Sequence, residues 1–268
     1  MSFMAQELLL NDDRLFPPEP AVRAIDRITP RTTDHDRAEA ELLSGVVDPA
    51  LVVTEPFSEW VLSGEFCQGR PAWDSAGAQF VDDVEPFELR KLLLLNGSHS
   101  LLAYAGPVIG HETVYDAICD DTVRGWVEQW WDDAATQVPL SADEVASYRA
   151  ALLARFANPK IRHLLKQIAM DGSMKIPIRI VRVLKAVREQ EDRVATGATR
   201  AIAAWILHLM GEGAPINDPT AEELLALISD DPALSVAHVL GYLGICDDTE
   251  IEATVLAQLD EIRAAKTA

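Results

Sequence analysis

Lys91, Asn96 and His99 interrupt one of the most apolar stretches of the chain, residues 88–106, with groups that are costly to bury unpaired. On an ideal helical wheel with Lys91 at zero, Glu88 falls near ~60°, His99 near ~80° and Asn96 near ~140°, so all four share one side. A lysine, an amide and an imidazole converging from one buried helix are the groups of a site. Burial disfavours an ammonium, and the neutral amine of Lys91 can then take a proton from an alcohol, while the ammonium can return one to a carbonyl. Asn96 and His99, about one turn apart, can both donate to a single oxygen, as an oxyanion hole does. Lys91 and His99 are separated by roughly 12 Å of helix rise, which suits an extended polyhydroxylated ligand better than a point-like metal.

Plainer readings stand beside these. Lys91 can lay its stem on apolar surface and send its ammonium to water. Asn96-Gly97 can mark a helix break, and His99 can be a satisfied core histidine. Glu88, three residues before Lys91, reads as a salt-bridge partner or as a group passing protons between Lys91 and solvent. A second polar cluster runs through Arg155-Phe156-Ala157-Asn158-Pro159-Lys160, His163 and Asp171-Gly172-Ser173-Met174-Lys175, where cap and turn chemistry competes with a role in the site. Trp126, Trp130 and Trp131, at helical spacing, read as packing residues.

The elements that must position these groups are mainly helical. Helices are predicted over 34–43, 87–104, 114–119, 122–134, 141–155, 160–170, 176–190, 196–210, 220–227, 232–243 and 249–263. Thr33 and Ser141 supply N-cap signals, and Gly106, Gly172, Gly211 and Gly244 read as stops. Short apolar runs at 51–54, 60–62 and 79–81 are the only predicted strands. The expected architecture is a multi-helix domain over 86–268, preceded by a small α/β segment over 25–85 and an arm or linker over 1–24.

With 268 residues, 49% of them hydrophobic, the chain can bury a sizeable core. Its 43 acidic residues against 23 basic give a net charge of −20, which argues against nucleic acid or an anionic membrane as partner. No continuous apolar run approaches the roughly 18 to 20 residues of a membrane span. Cys67, Cys119 and Cys246 are odd in number and far apart, as expected of reduced thiols in a cytoplasm. The sequence carries no GxGxxG after a strand, P-loop, HExxH or GxSxG.

Taken in order, several stretches resemble the mannitol dehydrogenase family of long-chain, metal-independent polyol and uronate dehydrogenases. They begin with Asp26-Arg27-Ile28-Thr29-Pro30, Val53-Thr54-Glu55-Pro56-Phe57 and Gly69-Arg70-Pro71-Ala72-Trp73. Gln79 to Val84, Lys91 to His99, Arg155 to Pro159 and Asp171 to Lys175 complete the series over roughly residues 25–210. The resemblance is to the family's C-terminal domain and the segment just before it. It implies NAD-dependent interconversion of a secondary alcohol and a ketone on a polyol or sugar acid. It places the catalytic base at Lys91, the groups holding the reacting oxygen at Asn96 and His99, and a proton-path glutamate at Glu88. Asp26 and Lys175 fall on positions lining the site near the nicotinamide, and no metal is implied. Gln167 stands where mannitol 2-dehydrogenases carry a substrate-binding arginine, which favours a fructuronate reductase type.

The family's nucleotide-binding domain has no counterpart in the residues read here, so the expectation is of a substrate domain with negligible turnover by itself. Three further expectations follow: a truncated non-enzymatic relative that binds sugar acids, self-association, or completion by a separate nucleotide-binding chain.

Overall fold

Capping residues and apolar periodicity together set most of the helices. In the computed structural model, which describes residues 22–66 and 69–266, Thr33 caps α1 (Asp34–Ser44) with a reciprocal bond to Asp36. Thr113 and Ser141 do the same for α3 (Val114–Cys119) and α5 (Ala142–Phe156). Between these lie α2 (Glu85–Ile109) and α4 (Asp121–Ala135). The remaining helices are α6 (Leu165–Ile168), α7 (172–191), α8 (Thr196–Leu209), α9 (Ala221–Leu225), α10 (Pro232–Tyr242) and α11 (Thr249–Ala265). The fold is mainly helical, as expected.

By its contacts the chain divides into two units. One holds residues up to 28 and 55–89, the other 29–54 and 90–268, so the segment expected as one α/β portion over 25–85 is shared between them. The first unit carries a three-stranded sheet. β1 (Val22–Asp26) runs antiparallel to β2 (Glu59–Ser63), which pairs in parallel with β3 (Ala78–Phe80). Its small core joins Ala24, Val61 and Val84 with Val81 and Phe87. Sequence reading missed β1, whose inward positions are the weak strand formers Ala24 and Asp26. It also placed a strand at 51–54, where the Leu51 carbonyl instead accepts from the Thr32 hydroxyl at 2.9 Å and no sheet ladder forms. The arm expected over 1–24 lies almost wholly outside the described residues, as does Cys67.

In the second unit, α8 is buried from Gly197 through Leu209 and contacts α2, α4 and α11. A helix apolar on all sides belongs at the centre of a core. α2 is 25 residues long and apolar enough on average to cross a membrane, but most of its apolar length is buried within the fold. Its apolarity is that of a core helix.

α2 is not a uniform α-helix. Residues Lys91–Asn96 form a π segment, in which Gly97 N–H bonds to the Leu92 carbonyl five residues back. Such a turn leaves room for extra acceptor contacts. Trp130 Nε1 donates to the Leu93 carbonyl and Trp131 Nε1 to the Leu94 carbonyl, both at 3.0 Å, while Ser98 Oγ also donates to Leu94 at 2.5 Å. The tryptophans are core residues, as expected, but they also fix the backbone of the helix that carries the site. Gly97 does not break the helix: its φ of −63° is helical, and its hydrogen is where a Cβ would come within 2.4 Å of the Trp130 ring.

Three boundaries differ from expectation. α2 continues past Gly106, which is a packing glycine against Leu165, and past Pro107 to Ile109. The helix expected over 160–170 shrinks to Leu165–Ile168, because Leu164 bridges in extended form to Thr113. Gly172, read as a stop, instead begins α7.

Gly97→Ala therefore forces either the Trp130 ring or the π segment to move. Overpacking of this kind costs about 1–3 kcal/mol. Urea unfolding should show a midpoint lowered accordingly, and an unchanged midpoint would mean that the segment relaxes freely.

Candidate active site

The π segment changes the angular relation of the site residues. In a regular α-helix Lys91 and Asn96 stand about 140° apart. The i→i+5 bonding of a π turn spreads an extra residue over the turn and brings positions five apart closer in angle. Lys91 and Asn96 are the two ends of that segment, and both are half-buried. His99 follows three residues on in regular helix and is 6% exposed.

Packing around His99 explains its state. Its ring lies 5.0 Å from that of Phe156, at the end of α5, and 5.0 Å edge-on from that of His163. Its Nε2 is buried and has no hydrogen-bond partner. Burial holds its pKa well below the usual histidine range, and repulsion from His163, Arg179, Arg155 and Lys175 pushes the same way. His99 is thus a neutral imidazole at neutral pH, suited to hydrogen-bonding an oxygen rather than to carrying charge.

α7 supplies the other wall. It starts where Gly172 lets the Trp205 indole and the Tyr104 hydroxyl approach within 2.5 and 2.8 Å of the position a Cβ would take. The Asp218 carboxylate caps it, accepting from Ser173 N at 2.8 Å and Ser173 Oγ at 2.6 Å. Burial alone would raise Asp218, but the hydrogen bonds from Ser173 and Thr220 outweigh it and hold the carboxyl low. Lys175 Nζ donates to the carbonyls of Ile168 at 3.1 Å and Met170 at 2.5 Å, and sits 3.9 Å from Asp171. Burial and Arg179 lower the Lys175 pKa, with Asp171 and Asp218 opposing.

One turn further, a second π segment covers Pro177–Val181. Arg179 within it donates from Nη1 to the Asn96 carbonyl at 3.3 Å and to Ser100 Oγ at 3.2 Å. The two π segments therefore meet at Asn96.

Of the residues singled out from sequence, Asn96, His99 and Lys175 are brought together around this one locus in the second unit, with Lys91 at the far end of the first π segment. Glu88 and Asp26 belong to the first unit: Glu88 is exposed, and Asp26 is buried on β1 opposite Glu59. Arg179 and Ser100 were missed. The i,i+4 spacing of Lys175 and Arg179 was the available signal, since it puts two cations on one helix face. Among the described residues no group of three or more His, Cys, Asp or Glu is arranged to hold a metal ion.

The description "Mannitol dehydrogenase C-terminal domain" belongs to the family model that matches residues 83–263, and this chain belongs to that family. It is 36% identical over 232 residues to the D-mannonate oxidoreductase of Escherichia coli K12, covering 84% of this chain and 48% of that protein. It is also 36% identical over 245 residues to the mannitol 2-dehydrogenase of Phaeosphaeria nodorum, covering 88% of this chain and 42% of that one. The structure of Pseudomonas fluorescens mannitol 2-dehydrogenase in ternary complex with NAD and D-mannitol superposes with a TM-score of 0.77 at 32% identity, over 91% of this chain and 51% of that chain. A substrate-free D-sorbitol dehydrogenase gives 0.79 at 26% identity, over 92% and 53%. The chain spans about half the length of the relatives it matches.

The buried imidazoles make the fold acid-sensitive. Burial lowers His163 and His208 to about 4, against the ordinary histidine value of about 6.5. Between those values the unfolded chain binds protons that the folded chain does not, so stability is full above pH 6.5 and falls as pH drops towards 4. Each histidine contributes up to about 3 kcal/mol to that loss. Unfolding free energies measured from pH 7 to 4 should fall accordingly, and His208→Gln should flatten the slope. A wild-type slope near zero would contradict the burial of these rings.

Proposed function

We propose that this chain is the substrate-binding and proton-transfer part of an NAD-dependent oxidoreductase that interconverts a secondary alcohol and a ketone on a polyol or sugar acid, of the fructuronate reductase or mannitol dehydrogenase type. The observation that carries this reading is the neutral, buried His99 with its unpartnered Nε2, set one turn from Asn96 on the helix that also bears Lys91. An alcohol or carbonyl oxygen of a substrate meets the hydrogen-bonding need that the protein leaves open at that nitrogen. In this reading Lys91 takes the hydroxyl proton on oxidation and returns it on reduction. Asn96 and His99 hold the reacting oxygen and stabilise the charge that develops on it. Lys175, beside Asn96 and His99 in the same unit, lines the substrate or cofactor. The donor set fits the oxygen end of an alcohol–ketone pair, for which a bound nicotinamide would supply or accept the hydride.

The test is reconstitution. The chain alone, given NADH and fructuronate, is expected to show negligible turnover, and addition of the nucleotide-binding part of a matched relative as a separate chain is expected to restore it. In the restored system Lys91→Met should lower kcat about 10²–10⁴-fold. Asn96→Ala should lower it about 10²–10³-fold. A Lys91→Met protein that keeps its rate would remove the base from this scheme.

A second reading, association through an apolar surface, is favoured by one observation. α1 buries none of its residues, and Leu42, Leu43, Val46 and Val47 are 86, 80, 61 and 73% exposed. Such a surface suits self-association or a separate nucleotide-binding chain. Light scattering should give a mass above the 29.4 kDa of one chain that rises with concentration. A strictly monomeric result, with no change on adding the nucleotide-binding part, would rule this reading out.

A further inference from the structure

Several arginines of this fold pair with carboxylates, while buried Arg90 lies over the Tyr148 ring at 4.0 Å. Arg200 is 7% exposed and pairs with Glu261 at 2.8 Å, Arg193 with Asp133 at 2.6 Å, Arg188 with Asp248 at 2.9 Å, and Arg263 forks onto Glu212. With 43 acidic residues in the chain, this is the expected outcome. Arg179 departs from it. Its Nη1 is spent on two neutral acceptors, the Asn96 carbonyl and Ser100 Oγ, and its Nε is buried with no partner. Guanidinium groups stay charged, and a poorly solvated one without a counter-charge is expensive. The nearby carboxylates Asp171 and Asp218 act on Lys175, and Arg179 forms an ion pair with neither. Within a strongly acidic protein, Arg179 is left without a paired carboxylate.

We propose that Arg179 is a specificity-determining residue that takes the carboxylate of a sugar acid, so that the site selects the acid over the neutral polyol of the same carbon skeleton. The proposal rests on the site reading given above. A carboxylate supplies the missing counter-charge and matches the planar donor edge of a guanidinium, whereas a polyol hydroxyl does neither. Arg179 is one hydrogen bond from Asn96, the residue assigned to the reacting oxygen, so the acid and the reacting carbon of one extended ligand are read by adjoining groups.

The experiment uses the full chain, with D-mannonate and D-mannitol as probes and binding as the readout. His99 ring signals are followed by NMR at pH 7, assigned by their loss in His99→Gln, and affinities are measured by calorimetry. D-mannonate is expected to bind at least about tenfold more tightly than D-mannitol, and both to shift the His99 signals. In Arg179→Met the preference for D-mannonate over D-mannitol should collapse towards one. Arg179→Lys keeps a charge but not the fork and should reduce the preference to a few-fold, which keeps the test available if the methionine variant does not fold. Equal binding of the two ligands in the wild type, or an undiminished preference in the folded variants, overturns the role of Arg179 and leaves the site reading standing. If neither ligand shifts His99, the site reading itself fails and this assignment fails with it.

Discussion

The hydrogen bond from the Trp130 indole to the Leu93 carbonyl, together with the seat of that ring on Gly97, is the constraint on which the rest of the site depends. A π turn is less favourable than the α turn it replaces, and it persists only where its surroundings pin it. Here the pins are buried donors from another helix. Trp130 and Trp131 are adjacent on α4, and their indoles reach adjacent carbonyls, Leu93 and Leu94. Neither carbonyl has water to turn to, since Leu93 and Leu94 are fully buried, so each indole bond removed leaves an acceptor less well satisfied. The register of the widened turn is thereby fixed, and with it the separation of Lys91 from Asn96 and His99.

Much of the helical framework was legible because it is written in local chemistry. Thr33, Thr113 and Ser141 each sit three residues before a carboxylate, and each proved to be a reciprocal cap. The glycines were less legible, since the same residue serves as stop and as packing surface. Gly106 and Gly172 were read as ends, yet one lies inside a helix against Leu165 and the other opens a helix under Trp205. Only the partner across the interface decides between those roles, and that partner is distant in sequence. The π segments were invisible for the same reason: nothing in Lys-Leu-Leu-Leu-Leu-Asn distinguishes an α turn from a π turn until Trp130 and Trp131 are in place. Likewise Lys91, Asn96 and His99 stood out as polar residues in an apolar run, while Arg179 sat among ordinary helix residues 83 positions from the carbonyl it reaches.

The site's electrostatics run against those of the whole chain. A net charge of −20 is spread over the surface, where it bears on solubility and on long-range attraction. Around His99 the balance reverses, and the reversal has a chemical consequence. Positive neighbours and burial act together on the imidazole to keep it neutral, and a neutral imidazole donates a hydrogen bond without competing for the proton that a base must move. The same positive neighbours favour any oxygen that gains negative charge beside them. In the proposed function, one arrangement would keep the hydrogen-bond donor neutral and a substrate oxygen stabilised.

Such an arrangement has a cost in stability, and the fold shows where it is offset. Unpartnered buried nitrogens at His99, His163 and Arg179 each forgo a hydrogen bond that water would have supplied. Around them the backbone is over-determined. Asp218 caps the start of α7, Lys175 ties down two carbonyls just before it, and Arg179 joins the two π segments at Asn96. Buried nitrogens without a partner also occur at Trp60 and His208, so the signal here is not their number but their setting in a backbone held from several sides. At His99 and Arg179 the unpartnered nitrogens lie on groups that both bear on Asn96, one through the helix they share and the other through a hydrogen bond, and in the proposed function a substrate's oxygens would meet that need.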